Sequence, residues 1–397
     1  MSLSRPLRAG MVGGGPGAFI GDVHRRAVRL DGLATLVAGV FSSDPNRSRE
    51  HARTLGVERA YGSYEEMAEA EAARDDGVEV VSVVTPNWLH APVAHAFIER
   101  GVHVVCDKPM TTTVADAEGL VRAVRERGVV FALTHNYTGY PLVKQARALV
   151  ADGVIGEVRK VVAEYTQGWL ATAVEADGMK QAVWRTDPEK AGAGALGDIG
   201  SHAENLAAYV TGLRLSRLCA DVRTVVPGRA IDDDVNVLLR YAGPDGGGGG
   251  AQTAGAGGVL HCSQIAAGIE NDLRLRVSGT EGTLTWRQEE PNELVLNPRE
   301  GPERVYRRGH DDLALAARHA TRLPPGHPEA FFEAFANVYA NALRTIMAHR
   351  DGREPDPLDL DFPTVEDGAR GVHFIQTALE SGRREAWVDA SYAVGEG

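Results

Sequence analysis

Short apolar runs alternate with segments of helical periodicity along the first third of the chain. The run at residues 78–85 is nearly continuous and rich in β-branched residues, which is typical of a strand buried on both faces of a sheet. This alternation predicts parallel β-α-β units and hence a doubly wound parallel sheet of the α/β class. The strands are predicted at residues 7–13, 33–41, 78–85, 102–106 and 129–133, and the helices at 21–29, 47–55, 68–74, 91–100 and 114–126.

The pattern changes after residue 145, where strands follow one another through short turns such as Gly279-Thr280-Glu281-Gly282. Consecutive strands of this kind predict an α+β domain with a large, open, mostly antiparallel sheet. The glycine-rich residues 243–258 are expected to form a flexible hairpin loop. We therefore predict one domain over residues 1–140 and a second over 141–397. The second domain's strands are predicted at 157–167, 235–241, 258–267, 273–278 and 282–287, and its long helices at 328–347 and 365–381.

Charge and cysteine content narrow the class of protein. The chain has 42 Lys and Arg against 54 Asp and Glu, a net charge of −12, which argues against binding nucleic acid or membrane lipid through an overall basic surface. Its three cysteines are too few and too scattered for a disulfide framework or a zinc site, so we expect no metal and a reduced, cytoplasmic chain. No apolar run approaches the roughly 18 residues of a membrane helix, and no signal-peptide pattern begins the chain.

A glycine-rich turn follows the first predicted strand and precedes a helix. It runs Gly13-Gly14-Gly15-Pro16-Gly17-Ala18-Phe19-Ile20-Gly21. Glycines in this context let the backbone approach a pyrophosphate, whose charge lies at the helix N-terminus. The usual G-x-G-x-x-G spacing fits as Gly13, Gly15 and Ala18, or with three residues inserted before Gly21. The turn predicts dinucleotide binding through Gly13, Gly15, Pro16, Gly17, Ala18, Phe19 and Ile20.

Three further segments join this turn. The predicted strand at 78–85 ends in Thr85-Pro86-Asn87 with His90 nearby, the predicted strand at 102–106 ends in Cys106-Asp107-Lys108-Pro109, and the second domain contains Asp198-Ile199-Gly200-Ser201-His202. Their order and spacing resemble the glucose-fructose oxidoreductase, inositol dehydrogenase and MocA family (Gfo/Idh/MocA), over nearly the whole chain. Within that family the sequence looks most similar to levoglucosan and inositol dehydrogenases. Asp107 departs from the pattern, because the family more often has Glu there.

The resemblance implies an NAD(P)-binding Rossmann domain followed by a substrate-binding and oligomerisation domain. It implies that hydride passes between a ring secondary alcohol of a sugar, aminosugar or cyclitol and the nicotinamide. Lys108 would hydrogen-bond the reacting hydroxyl, His202 would be the general base, and Asp198 would orient the substrate or the imidazole. Without the family motif, the residues alone favour Asp198 as a helix N-cap and His202 as a buried core histidine.

Other polar residues are candidates for contacts with cofactor or substrate. We expect cofactor contacts from Ser42, Arg47, Thr85, Pro86, Asn87, His90, Asp107, Lys108, Asn136, Trp184 and Arg185. We expect substrate contacts from Lys108, Tyr137, Tyr165, Gln167, Asp198, His202 and His327. For the tyrosines, burial in a core with a satisfied hydroxyl is an equally good explanation.

The cofactor is expected to be NAD, with NADP possible. Ser42 follows the second strand where many NAD-using relatives have Asp, and Arg47 is near enough in sequence to reach a 2′-phosphate. Two alternatives to the dehydrogenase remain open, an NAD-dependent glycoside hydrolase that oxidises its substrate transiently and a non-catalytic sensor of the same fold. The expected partners are a small sugar or polyol and further copies of the chain, as a dimer or tetramer.

Overall fold

A computed structural model describes residues 5–176, 180–242 and 255–394. Most of the glycine-rich stretch predicted as a hairpin loop, residues 243–254, lies outside the described residues. The chain forms two compact units. The first unit contains the residues up to Gly139 together with Phe331–Ala369, and the second contains Tyr140–Ala330 and the residues from Arg370 onward.

Strands and helices alternate through the first unit, as predicted. Its strands are β1 (Leu7–Gly13), β2 (Ala34–Val40), β3 (Arg59–Ala60), β4 (Val80–Val84), β5 (His103–Cys106) and β6 (Phe131–Leu133). Its helices are α1 (Phe19–Leu30), α2 (Pro45–Leu55), α3 (Tyr64–Ala72), α4 (His90–Ile98) and α5 (Val114–Arg127). Short 3₁₀ turns at Asn87–Leu89 and Asn136–Gly139 follow β4 and β6.

The described strands of the first unit form a six-stranded parallel sheet in the order β3-β2-β1-β4-β5-β6. Chain order reverses beside β1, so the carboxyl ends of β1 and β4 meet at a topological switch point, where sheets of this kind bind ligands. Every residue of β4 is buried, as its nearly continuous β-branched sequence predicted. The doubly wound α/β class is confirmed.

The second unit is built on a mixed sheet. Its first part comprises α6 (Pro141–Ala151), β7 (Val158–Thr166), α7 (Lys180–Arg185), α8 (Pro188–Ala191), a π turn at Leu196–Gly200 and α9 (Ser201–Thr211). There follow β8 (Leu215–Arg223), β9 (Asp234–Tyr241), β10 (Gly257–Ser263), β11 (Asp272–Gly279), β12 (Gly282–Arg287), β13 (Glu293–Pro298), β14 (Arg304–Arg307) and α10 (Leu315–His319). Two long helices follow along the chain, α11 (Phe331–Arg350), which lies in the first unit, and α12 (Val365–Arg384), most of which lies in the second, before the short β15 (Val388–Asp389).

The described strands of the second unit form a nine-stranded sheet in the order β14-β13-β12-β11-β7-β10-β9-β8-β15. All pairs are antiparallel except β7 and β10. Helices α6 and α9 pack on the sheet. Along β9 the residues alternate, with Val235, Val237 and Leu239 buried while Leu238 is half exposed. The predicted open, mostly antiparallel sheet is confirmed.

Helix α11 belongs to the first unit, although the sequence analysis placed residues 141–397 together in the second domain. Its apolar face is the reason. Phe335, Tyr339 and Leu343 are buried in the same core as Met11 of β1 and Val23 of α1. Helical periodicity alone shows that α11 has a face to bury, but it does not show which sheet covers that face. Within the described residues, no helix has the length and apolar character needed to cross a membrane.

Candidate active site

The glycine turn after β1 needs its glycines for close backbone approach. A Cβ on Gly13, whose φ is +87°, would lie 2.3 Å from the Val84 carbonyl oxygen, and one on Gly15 would lie 2.4 Å from the Phe41 carbonyl oxygen. A Cβ on Gly21, in the first turn of α1, would lie 2.4 Å from the Gly14 carbonyl oxygen. Gly21 thus allows the close helix packing that the third glycine of the fingerprint provides, which favours the spacing with the insertion.

The start of α1 is suited to an anion. Its N-cap residue, Ala18, offers no side-chain acceptor to the first amide groups of the helix, and such amide groups bind phosphate oxygens. The Ala18 amide itself donates to the Gly15 carbonyl at 3.1 Å. Buried Arg25 donates to the Gly14 carbonyl, so a cationic side chain braces the turn from within the unit. This brace is a contact that the glycine pattern did not indicate.

The segment after β2 forms a capped helix start. Asp44 accepts from the Arg47 amide at 2.8 Å and so caps α2. The Asp44 amide donates to Ser42 Oγ at 3.2 Å. Arg47 is exposed in the first turn of α2. Asp44 is therefore occupied as a turn and cap residue, while the Ser42 side chain stands at the strand end where an adenosine ribose is bound in sheets of this type.

Two buried polar atoms at the ends of β4 and β6 have no hydrogen-bond partner among the described residues. They are Thr85 Oγ1 and Asn136 Nδ2. A buried polar group without a protein partner is costly, so these two atoms are suited to a hydrogen bond with a ligand or with water. An acceptor and a donor of this kind fit the carboxamide of a nicotinamide, and together with the glycine turn they make the first unit suited to a dinucleotide.

His90 ties the end of β4 to the segment after β5. Its Nε2 lies 2.8 Å from the Thr85 carbonyl oxygen, and its Nδ1 lies 2.8 Å from the Pro109 carbonyl oxygen. The peptide bond between Lys108 and Pro109 is cis. Burial lowers the pKa of His90, while the Asp107 charge opposes that shift. His90 thus holds two strand ends together through its ring, and Asn87 beside it is also buried.

Asp107 stands immediately before Lys108 at the carboxyl end of β5. Its Oδ1 accepts from the Lys108 amide at 3.0 Å and from Thr134 Oγ1 at 2.9 Å, and lies 3.6 Å from His24 Nε2. Burial would raise the pKa of Asp107, but His24 and the Lys108 charge outweigh it and hold that pKa well below its usual range. A fixed carboxylate therefore anchors the backbone from which Lys108 projects.

Behind Asp107, a buried chain of side chains continues into the core. His24 Nδ1 lies 2.7 Å from the Tyr339 hydroxyl, which lies 2.8 Å from Ser82 Oγ. All three side chains are buried. His24 and Tyr339 were not predicted as site residues because they lie on α1 and α11, far from the motif of β5. A histidine on the core side of a helix could have indicated His24, but its position in the sequence does not show which residue it contacts.

In the second unit, Asp198 lies within the π turn that precedes α9. Gly200, not Asp198, occupies the N-cap of α9, so the explanation of Asp198 as an N-cap is wrong. Asp198 Oδ2 accepts from Gln264 Nε2 at 2.8 Å and lies 3.8 Å from Arg185 Nε. The Arg185 guanidinium also stacks over the Trp184 ring at 4.3 Å. The carboxylate is therefore held from one side by an amide and approached by a cation.

The turn carrying Asp198 is held by a pair of aspartates before β9. Asp232 accepts from the amides of Gly194 at 2.7 Å and Leu196 at 2.8 Å. The Asp233 carbonyl accepts from the Gln264 amide at 2.9 Å. Burial raises the pKa of Asp232, and the two backbone donors counteract this. The pair therefore fixes both the backbone that bears Asp198 and the residue that orients its carboxylate.

A row of polar side chains lies beside His202. The rings of His202 and Tyr165 are 6.2 Å apart. The Tyr165 hydroxyl donates to Asn271 Oδ1 at 2.7 Å, and Gln167 Nε2 donates to the same oxygen at 2.7 Å. Trp169 Nε1 donates to Gln167 Oε1 at 2.9 Å. This row, hereafter the Asn271 row, consists of Tyr165, Gln167, Trp169 and Asn271.

His327 lies in an exposed loop with no polar side chain within hydrogen-bond distance of its ring among the described residues. Its Nδ1 is 3.3 Å from the Pro325 carbonyl oxygen. The loop is anchored by Arg308 and Glu329, a buried pair at 2.9 Å. Arg308 also donates to the carbonyl of His327. Glu329, two residues after His327, is therefore a structural residue that holds the loop.

The expected site residues divide between the two units. The first unit contains the expected cofactor residues of the glycine turn and of β2, β4, β5 and β6, together with Tyr137, which packs 6.4 Å from the Phe331 ring. The second contains Tyr165, Gln167, Trp184, Arg185, Asp198, His202 and His327. Gln264 and Asn271 were missed because the first lies inside the strand predicted at 258–267 and the second just before the strand predicted at 273–278, and hydrophobic periodicity assigns no chemical role at either position. No cluster of metal-ligating side chains occurs within the described residues.

Comparisons with known proteins agree with this arrangement. Residues 7–135 match the family model for the oxidoreductase family with an NAD-binding Rossmann fold, and residues 143–285 match the GFO/IDH/MocA C-terminal domain. The solved structure of an oxidoreductase from Sinorhizobium meliloti is 44% identical, covers 97% of this chain and 100% of its own, and superposes with a TM-score of 0.86.

The names of several relatives refer to an activity. An inositol dehydrogenase homologue from Azotobacter vinelandii, solved with NAD⁺, is 36% identical over 97% of this chain and 98% of its own, with a TM-score of 0.89. The levoglucosan dehydrogenase of Pseudarthrobacter phenanthrenivorans is 26% identical over 96% of this chain and 98% of its own length. The predicted resemblance is confirmed, and the chain belongs to the GFO/IDH/MocA family of NAD-binding oxidoreductases.

Proposed function

We propose that the protein oxidises a ring secondary alcohol of a sugar, aminosugar or cyclitol with a nicotinamide dinucleotide. The observation that carries the proposal is the pairing, within the second unit, of an oriented carboxylate and imidazole with the polar Asn271 row. Asp198 is held by Gln264, and His202 lies beside Tyr165. Carboxylate, imidazole, amide and phenol groups can exchange hydrogen bonds with a ligand rich in hydroxyls, which an apolar ligand cannot do.

We assign Lys108 to the reacting hydroxyl. Its backbone is fixed through the contact of its amide with Asp107 and through the adjacent Pro109 segment held by His90. An ammonium group hydrogen-bonded to an alcohol oxygen stabilises the developing alkoxide. When bound, NAD supplies the hydride acceptor. The fixed strand end therefore limits the positions that the Lys108 head group can reach, which favours one alcohol over its neighbours.

We assign His202 as the general base and Asp198 as the residue that orients the substrate. An imidazole changes its protonation near neutral pH and so suits transfer of the alcohol proton. Asp198 keeps one oxygen on Gln264, and a carboxylate has further lone pairs with which to accept from a substrate hydroxyl. Retention of Lys108, Asp198 and His202 in one chain also favours an enzyme over a sensor.

For the cofactor we propose a preference for NAD over NADP. Ser42 would contact the ribose, because Asp44 is already committed to capping α2. Gly13, Gly15, Pro16, Gly17, Ala18, Phe19 and Ile20 would surround the pyrophosphate, and Thr85, Pro86, Asn87, His90 and Asn136 the nicotinamide half. The named relatives support both the cofactor and the substrate class. One was solved with NADH and myo-inositol, and the levoglucosan dehydrogenase with NADH and levoglucosan.

The deciding experiment incubates the protein with NAD⁺ or NADP⁺ and a panel of cyclitols, anhydrosugars, aldoses and aminosugars, and follows the absorbance of the reduced cofactor. Accumulation of free NADH with a cyclitol or sugar supports the proposal. Release of an aglycone from aryl glycosides without net reduction would instead identify a glycoside hydrolase. Cofactor binding without any turnover across the panel would point to a sensor.

We also propose a cytoplasmic homo-oligomer that pairs through the open sheet face of the second unit. On the outward side of β9, Leu238 is half exposed between Asn236 and Arg240, and the resemblance to the family, whose members are dimers or tetramers, supports pairing of this face with another copy. The described cysteines are all unpaired, as in a reducing compartment. Light scattering at micromolar concentration tests the assembly, and a stable 42.4 kDa monomer would contradict it.

A further inference from the structure

The indole of Trp169 imposes one direction on the hydrogen bonds of the Asn271 row. An indole N–H can only donate. Because Trp169 Nε1 is 2.9 Å from the Gln167 side-chain amide, the atom it meets must be the carbonyl oxygen Oε1. The other end of that amide, Nε2, must then be the atom that faces Asn271. The orientation of the glutamine, which chemistry alone leaves ambiguous, is set by its neighbour.

The orientation of the Asn271 side-chain amide is fixed in the same way. Gln167 Nε2 is a donor, so the atom of Asn271 that it meets at 2.7 Å must be Oδ1. The Tyr165 hydroxyl meets the same oxygen at 2.7 Å and must donate to it. Both donors converge on one oxygen, and the Asn271 backbone is held separately, because its amide donates to Glu289 Oε1 at 3.0 Å. Asn271 therefore has no freedom to exchange its oxygen and nitrogen.

Asn271 Nδ2 is therefore a hydrogen-bond donor whose direction is fixed. With Oδ1 committed to two donors, the group that Asn271 presents elsewhere is its Nδ2 amine, and no described side chain or carbonyl accepts from it. Asn271 is partly exposed, so Nδ2 is open to a ligand. The row is joined to the candidate base, because the Tyr165 ring lies 6.2 Å from the His202 ring.

We propose that Asn271 is a specificity-determining residue that donates through Nδ2 to an acceptor oxygen of the polyol, and that Trp169 is a positioning residue which keeps Nδ2 turned toward the substrate. The inference rests on the proposed function and deepens it. The site selects a substrate with an oxygen acceptor at this position, a ring ether or a hydroxyl whose lone pair is free. A substrate whose hydroxyl has to donate there is disfavoured.

Asn271→Asp is the sharpest test, because it changes only one part of the row. An aspartate still accepts from both Tyr165 and Gln167, so the intramolecular hydrogen bonds survive. The Nδ2 donor is replaced by a carboxylate oxygen that repels an acceptor. We expect the KM for the best substrate of a panel containing myo-inositol, levoglucosan and L-sorbose to rise about tenfold or more, with kcat within about threefold.

Trp169→Phe tests the positioning role. Phenylalanine keeps an aromatic ring but removes the N–H, so the Gln167 and Asn271 amides can both turn over. We expect a KM increase of about threefold to tenfold and a smaller preference among the panel substrates. The matched control is Trp387→Phe, another partly exposed tryptophan of the second unit, which packs with Arg217 and Arg240 and takes no part in the row. It should keep the wild-type KM.

A mono-deoxy analogue series of the best substrate identifies the contacted oxygen. The wild type should lose about tenfold in kcat/KM for one analogue, and Asn271→Asp should not distinguish that analogue from the parent. An unchanged or lower KM in Asn271→Asp would overturn the inference while leaving the proposed function intact. If the wild type reduces no cofactor with any substrate, the proposed function fails instead. In that case, calorimetry measures the affinity of the wild type and of Asn271→Asp for each substrate of the panel. A lower affinity in Asn271→Asp supports the inference. Equal affinity in the two proteins, or no binding to either, overturns it.

Discussion

The side-chain amide of Gln264 donates to Asp198 at 2.8 Å, and its own backbone amide is held by the Asp233 carbonyl at 2.9 Å. The orientation of a carboxylate proposed to meet substrate is therefore set by a residue more than sixty positions away in sequence. Since Gln264 is almost fully buried, its amide cannot be replaced by water without loss of orientation.

Two substitutions of Gln264 should lower activity, one of them at every pH and the other in a pH-dependent way. Gln264→Met keeps the volume but removes the donor, and kcat/KM should fall about tenfold to a hundredfold at every pH.

Gln264→Glu places two carboxyl groups together, which raises the pKa of one of them. Below that pKa the protonated group again donates, so activity relative to wild type should recover between pH 8 and pH 5. Gln145→Glu is the control, because buried Gln145 accepts from the Ala314 amide away from the site. A flat activity ratio across pH would contradict the role of Gln264.

Lys108 and His202 are expected to be needed for turnover but not for cofactor binding. Lys108→Ala and His202→Ala should each lower kcat by roughly 10²–10⁴-fold, the range for loss of a positioned acid–base group. Dinucleotide affinity, measured by calorimetry, should change little because the glycine turn is untouched. Lys160→Ala, an exposed lysine of β7, serves as the control. Near wild-type turnover in either variant would remove that residue from the mechanism.

The dinucleotide preference should respond to Ser42. Ser42→Asp introduces a charge that repels a 2′-phosphate and accepts from a ribose hydroxyl, so the ratio of kcat/KM for NAD⁺ over NADP⁺ should rise at least about tenfold. The control is Ser43→Asp, which adds the same charge at the next, exposed position. If both variants shift the ratio equally, the effect is one of general charge and Ser42 does not contact the ribose.

Buried histidines make the folded protein sensitive to acid. Burial, with the His349 charge, lowers the pKa of His103 to about 4, and burial with the Lys108 charge lowers the pKa of His135 to about 3. When the pH is below the ordinary histidine pKa of about 6.5, the unfolded chain binds more protons than the folded one. Stability is therefore complete above that pH and falls as the pH drops toward 4, by at most about 1.4 kcal/mol per pH unit for each histidine.

Urea unfolding between pH 4.5 and 7.5 measures this slope. In His103→Gln the new side chain can still accept from the Val130 amide, which lies 2.8 Å from His103 Nδ1, but it cannot ionise. The variant should show a shallower loss of stability with acid than the wild type. Exposed His310→Gln should retain the wild-type slope. Identical slopes in all three proteins would exclude His103 as a source of acid sensitivity.

The loop bearing His327 should depend on a buried ion pair. Arg308→Met would leave the Glu329 carboxylate buried with only the amides of Arg322 and Leu323 as donors. Removing one partner of a buried pair typically costs about 3–5 kcal/mol, and we expect the lower end because these amides remain. Thermal or urea unfolding measures it. Arg307→Met, which breaks an exposed pair with Glu293, should change stability little.

The alternation of strands and helices in the first unit was predictable because each of these elements is encoded by its local sequence. Strand β4 is β-branched at every position except Ser82. Helix α5 begins after the capping residue Thr113 and ends before Gly128, whose φ is +62°. Strand β8 was missed because its outward residues include arginines and an aspartate on a partly exposed face. Its hydrophobic alternation is too weak to compete with a loop assignment.

The site was predictable only where a short motif contains it. Lys108, Asp198 and His202 lie in compact motifs, whereas their supports come from other elements. Asp107 meets His24 of α1, and Asp198 meets Gln264 beyond β10. Such partners are chosen by tertiary packing, and a single sequence contains no pairing information between distant positions.

The return of α11 to the first unit makes the cofactor-binding region a discontinuous domain. During synthesis, residues up to Gly139 leave the ribosome without the helix that buries Phe335, Tyr339 and Leu343 beside β1. The nascent Rossmann sheet must wait for nearly two hundred further residues, most of the second unit, before its core closes. A fragment ending at Gly139 should therefore be insoluble or bind chaperones, and fusing Phe331–Ala369 to it through a short linker should restore a soluble dinucleotide-binding protein.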